Sequence, residues 1–386
     1  MIKQIKAPIL PVEAYTSKEW FELEKEKIFS NTWQYAGLIE DLSHPGDYIT
    51  TQCGNQNILV VKGKDEKLRA FHNICRHRGT QLLRAVGKKQ TAITCPYHDW
   101  TYNLSGQLIS VPEKETEFPD LELDKICLHK ASVDTWRGII WVHPNPEADP
   151  NTTWFKGIEE QLGPHYPERL KEYPNTTYEK VINANWKIVV ENFIDVYHLS
   201  HLHASTLNMY DHAKAEHQFI GDHWVFREPL TKKYRDNLED LNPFKRIKEV
   251  TDDHLGAYVP WLFPSIGITE SESLWSTFHV IPLAPDKTKV VIRTKFEEIS
   301  TWELTKRSAK YYFSWNRTMS KRAKYKNGDK NDPMASGDIM EEDIYACEQL
   351  QKSLNNPLFD IVATAKNQES TIIDFQKIVK KWLDKD

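Results

Sequence analysis

Cysteine is scarce in this chain of 386 residues: there are five, an odd number, which argues against a disulfide framework. An excess of one charge is missing as well. Lysine and arginine number 50 against 55 aspartates and glutamates, a formal charge of −5, so neither a nucleic-acid surface nor a membrane patch is expected. No run approaches the ~18 apolar residues that cross a bilayer. The opening Met1-Ile2-Lys3-Gln4-Ile5-Lys6-Ala7-Pro8 lacks the apolar core and small-residue cleavage site of a signal peptide, and a cytoplasmic location is the expectation. Internal repeats and low-complexity tracts are absent. So are the GxGxxG dinucleotide fingerprint and the Cys-x4-Cys-x2-Cys ferredoxin run, which excludes hydride transfer from a nicotinamide by this chain alone.

What the sequence has is aromatic residues, 13 Trp and 16 Tyr among them, in a chain 40% hydrophobic. That composition fits a globular protein of one or two domains. Residues 16–34 read as a helix, capped by Thr16 or Ser17 and carrying Trp20, Phe21, Leu23, Ile28 and Phe29. From about Pro45 to Pro144, short β-type runs such as Ile58-Leu59-Val60-Val61 and Gly138-Ile139-Ile140-Trp141-Val142 alternate with turn residues, and a linker follows at 144–152. Beyond it, helices are predicted at 155–162, 185–200, 301–324, 337–354 and 367–383, and strands at 177–183, 217–227, 274–283 and 288–298. The fold class is α+β. Its parts are an N-terminal helical segment, 1–38, packing on the last domain, an all-β domain, 39–148, and a mixed domain, 149–386.

The strongest signal is Cys75-Arg76-His77, a gap of seventeen residues, then Cys95-Pro96-Tyr97-His98. Two thiolates can hold one iron of a [2Fe–2S] unit and two imidazoles the other. Exchanging two thiolates for neutral imidazoles raises the potential to roughly −150 to +300 mV, against about −400 mV for an all-cysteine ferredoxin type. Cys2His2 is also a zinc set. Zinc fingers, however, pair Cys with Cys and His with His, whereas each pair here is mixed and flanked by strand-like sequence. Cys53, Cys127 and Cys347 stand alone and read as ordinary thiols.

Cys75-Arg76-His77-Arg78-Gly79 followed by Cys95-Pro96-Tyr97-His98-Asp99-Trp100 resembles the Rieske signature of the ring-hydroxylating oxygenase family. One residue departs: the family usually has glycine after the second histidine, where this chain has Asp99. Glycine there permits a left-handed backbone, and aspartate is among the few other residues that tolerate it. The resemblance implies a Rieske β domain with a [2Fe–2S] cluster on Cys75, His77, Cys95 and His98. It also implies a helix-grip catalytic domain, an antiparallel sheet with helices around a mononuclear Fe(II).

A second constellation lies in 185–203. Asn185 is the N-cap candidate, and Glu191, Asp195 and His198 fall at i, i+4 and i+7 of one helical face. Polar side chains buried on such a face need partners. Two histidines and a carboxylate form a facial triad that leaves positions open for O2 and substrate at Fe(II). The family pattern Asp-x2-His-x4-His falls on Asp195, His198 and His203. By resemblance, His198 and His203 are iron ligands, and Asp195 joins this site to the Rieske His98 of the partner subunit. His201 has no counterpart and reads as an exposed or core-satisfied imidazole. Glu191 and Asn192 read either as supports for the ligands or as ordinary helix residues.

The third ligand must come from elsewhere. Ile339, Asp343, Ala346 and Leu350 fall at i, i+4, i+7 and i+11, which puts Asp343 in an apolar stripe. Glu341 shares its face with Glu348 and Lys352, and Asp338 reads as a helix start. An acid in a buried stripe needs a reason, and ligation supplies one. The Glu-Asp pair also resembles the family's third-ligand segment, so Asp343 is the choice and Glu342 the runner-up.

The resemblance further implies O2 as co-substrate, a reductase or ferredoxin as electron donor, and a homo-oligomer, commonly a trimer. Arg76, Arg78, Arg84, Lys88 and Lys89 surround the cluster loops, either to steer an acidic donor or as plain solvated charges. Region 206–280 holds Met209, Tyr210, Phe219, Trp224, Phe226, Tyr258, Trp261, Phe263, Trp275 and Phe278. Such residues suit a flat ring by stacking, suit a quaternary ammonium equally, or are simply core. Ring hydroxylation is the family's commonest activity, so an aromatic substrate is the first expectation. Monooxygenation or demethylation of a carnitine- or betaine-like compound is the alternative. A Rieske electron carrier without catalytic iron is the rival from another class.

Overall fold

The structure, a computed structural model, describes residues 9–318, 332–361 and 363–385. It divides into two compact units, Leu23–Lys156 and the described part of Met1–Glu22 together with Gly157–Asp386. Among the described residues, no helix is long and apolar enough to cross a membrane.

In the first unit, seven antiparallel strands run in the order Gln34–Leu38, Ile139–His143, Lys130–Trp136, Leu68–His72, Gln56–Lys62, Tyr48–Cys53 and Val86–Gly87. The run Ile58-Leu59-Val60-Val61 is apolar without alternation because both of its faces are covered. Leu59 and Val61 pack with Phe71 and the two cysteine loops, whereas Ile58 and Val60 pack with Ala70, Ile140 and Val142. A small sheet of Ile93–Thr94, Thr101–Tyr102 and Leu108–Ser110 brackets the second cysteine loop.

The helix predicted over 16–34 is shorter. An α-helix, Lys18–Glu24, continues as a π-helical turn, Lys25–Phe29, and stops. Polar side chains end it: Ser30 Oγ donates to the Lys25 carbonyl at 2.8 Å, Asn31 Nδ2 to Glu26 at 2.8 Å and Thr32 Oγ1 to Ile28 at 2.8 Å. Gln34–Leu38 is then free to pair with Ile139–His143 as an edge strand.

The second unit is built on an eight-stranded antiparallel sheet. Its main order is Lys171–Ile182, Lys287–Phe296, Leu274–Ala284, Ile266–Glu270, Gly256–Tyr258, His223–Pro229 and Glu216–Ile220, and Trp261–Leu262 pairs beside it. The single strand expected at 217–227 is a hairpin, turned at Gly221-Asp222 with Gly221 at φ +60°. At 155–162 there is only a 3-10 turn, Glu159–Gln161. Helices form at Trp186–Ile194, Thr301–Thr318, Ile339–Ser353 and Ser370–Leu383; positions 319–324 of the predicted 301–324 helix lie outside the described residues. Trp186–Ile194 packs on the sheet and on the last two helices. It comes close because Gly267 has no side chain: a Cβ there would stand 2.5 Å from the Phe193 ring.

Candidate metal centres

In the first unit, each paired cysteine opens a loop of the same geometry. The Cys75 carbonyl accepts from Gly79 N–H at 3.0 Å and the Cys95 carbonyl from Asp99 N–H at 3.1 Å. Gly79 sits at φ +77° and Asp99 at φ +54°, so the aspartate adopts the left-handed backbone that its position requires. The amides of Cys75 and Cys95 likewise donate to Thr80 and Trp100 carbonyls, both at 2.8 Å. The two loops therefore present Cys75 with His77 and Cys95 with His98 in matched fashion.

Both thiols are buried and outside any disulfide, and the rings of His77 and His98 stand 4.8 Å apart. Trp100 stacks on His77 at 4.8 Å and Tyr97 on His98 at 3.7 Å. Burial pushes the Cys75 thiol up, opposed by the Tyr102 hydroxyl 3.4 Å from Sγ. That hydroxyl also accepts from Arg76 N–H at 3.0 Å. His77 Nδ1 is buried without a hydrogen-bond partner. A soft donor set with an orphaned imidazole nitrogen fits a [2Fe–2S] cluster. Tyr102 carries no motif, and sequence reasoning missed it.

In the second unit, the helix expected over 185–200 ends at Ile194. Asn185 caps its start, accepting from Lys187 N–H at 3.0 Å, and Asp195 is already extended at φ −74°, ψ 114°. The common face that periodicity assigned to Glu191, Asp195 and His198 therefore does not exist. A side-chain turn replaces it: Asp195 Oδ1 accepts from Tyr197 N–H at 2.7 Å, and His198 follows. Thr371 Oγ1 takes the Ile194 carbonyl at 3.0 Å, which lets the helix stop there.

This turn gathers the candidate ligands. His198, His203 and Asp343 each offer a ligand atom, and these atoms lie within 4.8 Å of one another. Asp343 Oδ1 is 2.9 Å from His203 Nε2 and 3.6 Å from His198 Nε2. His198 Nδ1 lies 3.2 Å from Asp195 Oδ2 but out of line for a hydrogen bond, and is buried without one. Two imidazoles and a carboxylate, with their lone pairs converging, match the facial triad for iron.

Glu342 and Asp343 separate by geometry. Glu342 Oε2 is 2.8 Å from His203 Nδ1, the nitrogen on the far side of the ring, and accepts from Thr206 Oγ1 at 3.0 Å. Burial pushes His203 down, but hydrogen bonds and charge from Asp343 and Glu342 outweigh it and hold the imidazole above its usual value. The buried stripe of Ile339–Ser353 is Glu342, Ile344, Cys347 and Gln351, not the predicted row, and Leu350 is exposed. Asp343 sits at the edge of that stripe and faces a cavity. Asn192 Nδ2 donates to its Oδ1 at 3.3 Å. Glu191 points away, buried, where it accepts from Tyr15 at 2.5 Å and Gln376 at 3.0 Å. His201 is exposed beside Tyr197.

The three converging residues line a cavity of about 460 Å3. Its floor comes from the helices, with Val189, Asn192, Phe193, Met340, Ile344 and Cys347. Its roof is one face of the sheet, with Trp224, Phe226 and Glu228 from one strand and Leu274, Ser276 and Phe278 from another, alternate residues in each case. Burial pushes Glu228 up and the hydrogen bond to His212 works against it. Sequence reasoning reached the aromatic residues of this wall but missed Glu228.

Residues 32–133 match the Rieske [2Fe-2S] domain, and residues 167–385 match the catalytic domain of the ring-hydroxylating alpha subunit. The chain is 28% identical over 287 residues to the carnitine monooxygenase oxygenase subunit of Acinetobacter pittii, covering 72% of this chain and 73% of that protein. It is 26% identical over 354 residues to the chloroplastic choline monooxygenase of Atriplex hortensis, covering 90% and 72%. In fold it is similar to a quaternary ammonium Rieske monooxygenase in complex with L-carnitine, with a TM-score of 0.72 at 23% identity over 98% of this chain and 96% of that one.

Proposed function

Because the chain belongs to the ring-hydroxylating oxygenase alpha subunits, oxidoreductases that use O2 with a Rieske [2Fe–2S] cluster and a mononuclear iron, we propose that it oxygenates a quaternary ammonium compound. The observation that carries this reading is the triad opening into a cavity whose sheet wall stacks Trp224 on Phe226, ring centroids 5.4 Å apart, with a carboxylate next in the row. Aromatic faces attract an alkylated ammonium, and a nearby anion balances its charge. The relatives named above act on carnitine and choline, which favours the alternative of the sequence reading over an aromatic substrate.

In this reading, Cys75, His77, Cys95 and His98 hold the cluster, and His198, His203 and Asp343 hold the iron. When bound, the cluster supplies single electrons and the iron activates O2. The residues of the chain do the rest. Glu342 fixes the tautomer of His203, and the Asp195 carboxylate, 3.2 Å from His198 Nδ1, places a negative charge beside that ring. Asp195 also stands on the electron route from His98 of the partner subunit in a homo-oligomer such as a trimer. Phe193, Leu207 and Ile344 keep the cavity apolar and restrict water around the substrate. A separate reductase delivers the electrons, and the basic side chains near the cluster loops steer it.

The test is oxygen uptake by the holoenzyme with a reductase and NAD(P)H, against choline, glycine betaine, L-carnitine, naphthalene and benzoate. Uptake coupled to product with an ammonium compound is expected. Coupled turnover of the aromatic compounds alone would overturn the reading. A purified protein with a Rieske cluster but no further iron would return it to the class of electron carriers.

A further inference from the structure

We propose that Glu228 is the anionic anchor for the positively charged nitrogen of the substrate. The inference rests on the quaternary ammonium reading above and assigns it a residue. On the strand His223–Pro229, Trp224, Phe226 and Glu228 are alternate residues that all face the cavity, so the carboxylate continues a row of two stacked aromatic rings. Its strand is paired on both sides, and Glu228 itself lies opposite Ala257. A cation resting on those rings lies beside the acid without any rearrangement of the backbone.

The carboxylate is 3% exposed and only half satisfied. Oε2 is 2.7 Å from His212 Nδ1, and no other partner for the side chain is found among the described residues. The opposite nitrogen, His212 Nε2, is buried with no partner. His212 thus positions Glu228 through Oε2 alone. Among the described residues lining the cavity there is no lysine or arginine, and Glu228 is the acid on its sheet wall. A quaternary nitrogen has no N–H to donate, so charge and aromatic faces are what can recognise it. The negative charge also explains why an acid is tolerated in a wall that is otherwise aromatic and aliphatic: a bound cation offsets the penalty of its burial.

The test uses matched pairs that differ only in a nitrogen cation or a neutral carbon. They are choline with 3,3-dimethylbutan-1-ol, glycine betaine with 3,3-dimethylbutanoate, and L-carnitine with 3-hydroxy-5,5-dimethylhexanoate. Equilibrium binding to the holoenzyme is measured by calorimetry for the wild type, Glu228→Gln and Glu228→Asp, with iron content and cluster absorbance recorded for each. In the wild type, at least one ammonium compound should bind about tenfold or more tightly than its carbon twin, the scale of a desolvated cation on aromatic and anionic groups. Glu228→Gln should bring that ratio to within about threefold, by weakening the ammonium compound and leaving the twin unchanged. An unchanged ratio, or equal weakening of both members, overturns the anchor while the quaternary ammonium reading stands. If Glu228→Gln loses its metals, Glu228→Asp decides: a fall in the ratio of about threefold supports the anchor, since the charge is drawn back from the nitrogen, and no change overturns it. A wild type that prefers no ammonium compound to its twin overturns both readings together.

Discussion

Asp195 uses its two carboxylate oxygens for two tasks: Oδ1 accepts from Tyr197 N–H at 2.7 Å, and Oδ2 stands 3.2 Å from His198 Nδ1. The first bond shapes the turn that follows the helix. The second contact faces the nitrogen of His198 opposite the one turned toward Asp343. Asp195→Asn keeps an oxygen for the turn and removes the charge. Both metals should stay bound, and product formation should fall by about 10- to 100-fold. Iron content, cluster absorbance and NAD(P)H-coupled product are the measurements, and undiminished product would count against a role for the charge.

His198→Ala should lose the mononuclear iron and keep the visible absorption of the cluster, because the two donor sets lie on different units of the chain. Metal analysis beside an absorption spectrum checks this. Loss of both centres together would contradict their independence.

Glu342 is the runner-up ligand of the sequence, yet it contacts the outer nitrogen of His203. Glu342→Gln should therefore leave iron bound but weaken it by about 10- to 100-fold, the usual effect of removing a charged partner from a ligating histidine. Titration with Fe(II) reads the change. An unchanged affinity would reduce Glu342 to a packing residue.

Glu191 predicts a pH effect on stability. Burial, opposed by hydrogen bonds from Tyr15 and Gln376 and by the charge of Lys187, raises its pKa from 4.5 to about 7. The folded chain thus holds a proton that the unfolded chain has released, and the stability this gives is complete below pH 4.5 and lost as pH rises through about 7. The difference is about 3 kcal/mol on the usual conversion of pKa to energy. Glu191→Gln should flatten that part of the profile, measured as wild type minus variant in denaturant between pH 5 and about 8. Parallel profiles would contradict the assignment.

Gly267→Ala should destabilise the second unit by about 1–3 kcal/mol, because the new methyl group meets the Phe193 ring. Thermal unfolding and iron content report it together, since Phe193 belongs to the helix that leads into Asp195. A variant as stable as the wild type would show that the ring moves freely.

The cluster loops were legible because their chemistry is local: both Cys-x-His and Cys-x2-His pairs sit on short turns, and even the backbone of Asp99 followed from its position. The candidate iron site was legible as a set of residues that the structure brings together, but not in its geometry. Periodicity extended the helix through Asp195 and His198, whereas the Asp195 carboxylate captures the Tyr197 amide and turns the chain. Asp343 was selected from a stripe that is not the buried one; a helix that borders a cavity as well as a sheet presents two inward faces, and one period cannot describe both. Glu228 was invisible because an acid in a strand normally marks the solvent face. The signal was present nonetheless, in its two-residue step from Trp224 and Phe226.

The roof of the cavity comes from alternate positions of paired strands, while the converging histidines and aspartate come from a turn and a helix on the other side. Exchanging a roof side chain leaves every ladder bond of its strand in place, as the intervening residues point the opposite way. Natural variation can therefore retune what such a chamber admits, one position at a time, without disturbing the chemistry performed beneath it.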